Sequence, residues 1–173
     1  MFKKYSTAVP MPVTLTQNNS KLLNETTILG IGHPLLSDDA VGIFAMRYLQ
    51  DQVNSAHSKR FQFIETQSAP ENFLGPICQF APRQILLFDA IHAESDPGTI
   101  FYHQFELTDS IDSQPFSLPL NNICFFLKKE LECVITIIGI QVKNIHFGET
   151  ITPEVQTGIK KFINQFAAHN LLN

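Results

Sequence analysis

The stretch Ile28-Leu-Gly-Ile-Gly-His-Pro-Leu-Leu-Ser-Asp-Asp-Ala-Val-Gly42 decides how this chain folds. Ile28, Leu29 and Ile31, flanked by Thr26 and Thr27, form an apolar run without the alternation of a half-exposed strand, which predicts a strand covered on both faces. Gly32-His33-Pro34 breaks the run. Val41, Phe44, Ala45, Tyr48, Leu49 and Val53 then recur at close to a helical period, so a helix is predicted with Asp38 and Asp39 at its N-terminus. Gly30 and Gly32 supply two glycines of a dinucleotide-binding G-x-G-x-x-G, but Leu35 stands at the third position. Two carboxylates would also repel a pyrophosphate from the helix N-terminus. A helix cap accounts for one of these acids, and the second points to a cation site.

Working outward, strands and helices alternate. Residues 60–66, with Phe61, Phe63 and Ile64, predict a second strand, reached by a polar linker over 54–59. A helix over 71–80 follows, with Phe73, Leu74, Ile77 and Cys78 on one side; Pro76 either kinks it or delays its start. Residues 84–90, whose core Ile85-Leu86-Leu87-Phe88 ends in Asp89, predict a third strand buried on both faces. Nine residues, 90–98, separate it from a strand over 99–105. That is too short for a parallel crossover, so this strand is expected to run antiparallel at an edge. A helix over 119–131, with Pro119 in its first turn, precedes a last central strand over 133–142. Thr152-Pro153-Glu154 opens the final helix, whose buried stripe is Val155, Ile159, Phe162, Ile163 and Phe166.

The alternation predicts a three-layer α/β/α fold with a mostly parallel five-stranded sheet and one antiparallel edge strand. Ligands of such sheets bind beyond the carboxyl ends of strands, where the chain reverses its winding direction. Asp38 and Asp39 follow the first strand and Asp89 ends the third, so neighbouring placement of those strands would bring the acids to one crevice.

At 173 residues and 44% hydrophobic content the chain can build one sizeable core. We expect a single domain over 25–173 and a loosely ordered tail over 1–24, which lacks the long apolar segment of a signal peptide. A formal charge of -4 argues against nucleic acid or an anionic membrane as partner, and no apolar run has the length of a membrane span. Cys78, Cys124 and Cys133 are odd in number and widely spaced among apolar neighbours, as for reduced core thiols of a cytoplasmic protein. There is no G-x-S-x-G elbow and no H-E-x-x-H helix.

The residues from Gly30 to Gly42 resemble the G-x-G-N-x-L-x-x-D-[DE]-x-x-G signature of the [NiFe]-hydrogenase maturation endopeptidases. Later blocks keep the family's order and spacing: Ser68-Ala-Pro-Glu-Asn72, Leu87-Phe-Asp89-Ala90, Pro97-Gly98, Pro119-Leu-Asn121, Gly139-Ile-Gln141 and Ile151-Thr-Pro153-Glu154. The resemblance spans residues 26–166, and its Ser-Ala-Pro-Glu-Asn and Pro-Leu-Asn blocks point to the branch serving formate-hydrogenlyase-type hydrogenases. It implies an endopeptidase that removes the C-terminal extension of a hydrogenase large-subunit precursor once nickel is in place. The nickel is then supplied by the substrate.

By the same resemblance, Asp39 and Asp89 match the family's first two metal-site acids, and Asp38 joins them as a catalytic candidate that orients Asp39 or acts as base. The family's Asn after the second glycine is His33, and its Asp-Gly-Gly after the second strand is Glu65-Thr66-Gln67. Counting back from Pro119 places Phe116 where the family has a third, histidine ligand. Phenylalanine cannot ligate a metal. His33 and His92 are the candidate replacements, while Glu65 and Phe116 fall on the substrate side of the crevice. A monomer is expected. The alternative is a non-catalytic relative that binds a hydrogenase precursor, or a metal, without cutting.

Overall fold

The computed structural model describes residues 25–107, 118–148 and 150–170. Five strands, β1 (Thr26–Ile31), β2 (Phe61–Gln67), β3 (Gln84–Ile91), β4 (Ile100–Phe105) and β5 (Val134–Gln141), form one sheet in the order β2-β1-β3-β5-β4. All pairings are parallel except β4 with β5, which is antiparallel and places β4 at the edge. The short 92–99 connection forces that direction, and Gln141 holds the connection in place. Its Oε1 accepts from the Ala93 N–H at 2.6 Å, its carbonyl from the Gly98 N–H at 2.8 Å, and its own N–H donates to the Thr99 carbonyl at 2.9 Å.

Among the described residues, four α-helices cover the sheet: α1 (Val41–Gln50), α2 (Leu74–Phe80), α3 (Leu118–Glu130) and α4 (Pro153–Asn170). On one face Val41, Ala45, Met46 and Leu49 of α1 meet Val155, Ile159, Phe162, Ile163 and Phe166 of α4 over Ile28, Leu86, Phe88 and Ile138. On the other, Ile77 of α2 and Leu120, Ile123, Cys124 and Leu127 of α3 pack on Leu29, Ile85, Leu87, Ile135 and Ile137. The central strands are thus buried on both sides, as their unbroken apolar runs require. All three cysteines are free, and burial pushes the thiol of Cys124 up to about 12. Among the described residues no helix is long and apolar enough to cross a membrane.

The helix expected over 71–80 is a 3-10 turn, Pro70–Phe73, followed by α2, so Pro76 lies in the first turn of the α-helix, where its missing N–H costs nothing. The polar linker expected over 54–59 includes a 3-10 turn, Ser55–Arg60. The expected tail, 1–24, and Phe116 lie outside the described residues.

Candidate active site

β1 and β3 are direct neighbours, with Gly30 opposite Phe88, and the winding direction reverses between them. Their carboxyl ends therefore form the switch-point crevice. The chain leaves β1 through Gly32, whose φ of +136° is accessible to glycine and strained for other residues. A Cβ there would also lie 1.8 Å from the Asp39 carbonyl oxygen. A 3-10 turn, Ser37–Ala40, carries the acids into α1. At the start of α1, a Cβ on Gly42 would lie 2.2 Å from the Ile31 oxygen and 2.3 Å from that of Phe88. The glycines of this segment thus let the acid-bearing turn sit directly on the ends of β1 and β3; they are not a phosphate cradle.

Asp39 is half-buried, and its Oδ2 accepts the His33 N–H at 2.6 Å. Asp89, one strand over, accepts the Ala90 N–H at 2.9 Å on Oδ1. Its carboxyl is pushed up to about 7, chiefly because the surrounding protein strips water from the charged form. The Ala90 hydrogen bond works against this rise, and the nearby negative charge of Asp39 adds to it. A pair of adjacent carboxylates, one of them reluctant to ionise, is a site that a cation would complete.

Asp38, grouped with the catalytic acids from the sequence, has a different employment. It is 0% exposed and faces the loop between β5 and α4. Its Oδ2 accepts the N–H groups of Lys143 and Asn144 at 2.9 and 3.2 Å and the Thr152 hydroxyl at 3.0 Å. Its Oδ1 accepts the Thr152 N–H at 2.6 Å. With four donors in place, this carboxylate ties the acid-bearing turn to the loop before α4. Nor does it cap the helix: no side-chain cap hydrogen bond forms at the start of the 3-10 turn or of α1. Ser37 Oγ strengthens the same junction, 2.9 Å from Asn144 Oδ1 and 3.0 Å from the Thr150 oxygen.

The histidines expected as replacement ligands do not complete a metal centre. Among the described residues, no three His, Cys, Asp or Glu side chains come together to hold a metal. His33 Nδ1 accepts the Leu35 N–H at 3.2 Å, which stabilises its own turn, and His92 is an exposed residue just beyond β3. Glu65, opposite Gly30 on β2, is committed to Arg47 of α1, whose Nη2 contacts both carboxylate oxygens. The partners of Asp38 are not legible in the sequence. Lys143, Asn144 and Thr152 lie more than a hundred residues downstream and act partly through backbone N–H groups, which leave no residue-type signal.

Residues 45–169 match the family model described as HycI, hydrogenase maturation protease. This chain belongs to the hydrogenase maturation protease family. It is 32% identical over 151 residues to a putative hydrogenase maturation protease of Methanocaldococcus jannaschii, covering 83% of this chain and 87% of the relative. The hydrogenase 3 maturation protease of Escherichia coli K12 is 25% identical over 134 residues, covering 77% and 83%. In structure, the [NiFe] hydrogenase maturation protease HycI of Thermococcus kodakarensis aligns with a TM-score of 0.74 at 22% identity, over 87% of this chain and 94% of that one. The hydrogenase maturating endopeptidase HybD of Escherichia coli gives 0.65 at 21% identity, over 83% and 90%. Membership makes the chain an endopeptidase of hydrogenase maturation, and the structural likeness bears out the α/β sheet with its antiparallel edge strand.

Proposed function

We propose that this protein removes the C-terminal extension of a [NiFe]-hydrogenase large-subunit precursor after nickel insertion, acting in the cytoplasm as a monomer, with Asp39 and Asp89 engaging the nickel that the precursor carries. The observation that carries this reading is the convergence of the two carboxylates at the β1/β3 switch point, with Asp89 held near neutrality. Two carboxylates are too few to retain a divalent ion tightly, but they suit one that arrives already held by the substrate.

Engagement of the substrate's metal by Asp39 and Asp89 fixes the register of the polypeptide, so that one peptide bond lies over the crevice. Water adds to the carbonyl carbon of that bond, the C–N bond breaks, and the water's proton passes to the departing amine. Asp89, part-protonated near pH 7, releases its proton as the cation approaches. The His33 N–H and the Asp38 latch hold the acid-bearing turn, so that Asp39 meets the metal without reorganising.

Incubating the protein with nickel-loaded and nickel-free precursor tests this reading. Mass spectrometry should show one C-terminal shortening of the loaded form and none of the other. A loaded precursor that binds and keeps its mass would instead favour the non-catalytic alternative.

A further inference from the structure

Three large apolar side chains are exposed on the segments that flank the Asp38 latch. Phe147 is 75% exposed, Leu35 53% and Ile145 38%. These residues come from segments far apart in sequence that a backbone hydrogen bond joins. The Gly148 N–H donates to the Leu35 carbonyl at 2.9 Å, which joins the turn after Phe147 to the turn carrying Asp39. In that second turn, the Asp39 N–H donates to the carbonyl of Leu36, the residue after Leu35, at 2.9 Å. The loop holding Ile145 and Phe147 is tied down through Lys143, Asn144 and Thr152, all bonded to Asp38. The phenyl group is therefore presented to solvent from an anchored loop.

We infer that Leu35, Ile145 and Phe147 form the docking surface for the hydrogenase large-subunit precursor, receiving apolar side chains of the polypeptide that flanks its cleavage site. This rests on the proposed function. A protease must seat its substrate's chain across Asp39 and Asp89, and the rim is continuous with that seat through the turn shared by Leu35 and Asp39. Two carboxylates bind many divalent ions, so choosing one protein requires contacts beyond them. An exposed aromatic on a held loop supplies large contact area at little ordering cost. The neighbouring charges, Lys143 and Glu154, pair with each other at 2.7 Å, and His146, exposed between Ile145 and Phe147, adds a polar group to the rim.

Titration calorimetry of the full chain with nickel-loaded precursor, alongside cleavage kinetics, tests the inference. Phe147→Ser and Leu35→Ser should each weaken precursor binding at least about tenfold and raise KM with kcat nearly unchanged, at an unaltered melting temperature. Phe125→Ser, on the exposed side of α3, should bind as the parent does. Parent-like affinity in both rim variants would overturn the inference, and so would a dimer of the free protein that Phe147→Ser dissociates, because the rim would then serve a second copy. Rim-dependent binding without cleavage would sink the protease reading and keep the docking surface. Cleavage indifferent to the rim would do the reverse, and a parent protein that does not bind the precursor would reject both.

Discussion

Asp38 and Asp39 are adjacent in sequence and opposite in employment. Both acids were visible in the sequence, and so was Asp89, because the pair follows the turn after the first apolar run and Asp89 follows the apolar run of the third. Which of the pair faces the crevice was not visible, since that depends on the Lys143 and Asn144 amides and on Thr152. Asp38→Asn tests the assignment: one carboxylate oxygen becomes an amide nitrogen that faces donors, in a site without solvent. The variant should lose about 2–4 kcal/mol, read as a lowered melting temperature. Asp89 predicts the opposite sign. Its folded pKa, about 7, lies above the ordinary 3.8, so the folded state binds the proton more tightly. That contribution to stability is complete below about pH 4 and is lost as pH rises through about 7. Asp89→Asn should therefore change stability little at pH 4 and raise it by up to a few kcal/mol at pH 8 in metal-free protein, as denaturant titrations at the two pH values would show.

At the scale of elements, the buried strands were legible because Ile28 to Ile31 and Ile85 to Phe88 admit no exposed face. The edge strand was legible because its connection is too short to cross over. The 3-10 turns before α1 and α2 were not, since residues 37–40 and 70–73 carry the same residue types as the first turn of an α-helix. Nor did the sequence show why Gly42 is a glycine. In the fold, α1 approaches the backbones of β1 and β3 so closely that a methyl group has no room. Gly42→Ala should therefore push the helix off the strand ends, costing about 1–3 kcal/mol. Activity should fall further than stability, because Asp39 and Asp89 are carried on the two elements being separated. Comparing the melting temperature with the cleavage rate of this variant checks both parts.

Over the whole molecule, the winding reversal between β1 and β3 makes one crevice from residues fifty positions apart. Family membership and the local chemistry then agree on what the crevice is for. The fold class followed from strand and helix alternation alone, whereas the assignment to hydrogenase maturation needed several short blocks in register, none of which is specific by itself. Phe116, which the resemblance sets at the family's third ligand position, lies outside the described residues. The central claim is that Asp39 and Asp89 act together as the site of cleavage. Its most direct test is the rate at which Asp39→Asn and Asp89→Asn process nickel-loaded precursor, followed by mass spectrometry. Each substitution keeps side-chain shape and removes a charge, so each should slow cleavage about a hundredfold or more while the protein stays folded. A folded variant of either kind that shortens the precursor at the parent rate would contradict the account.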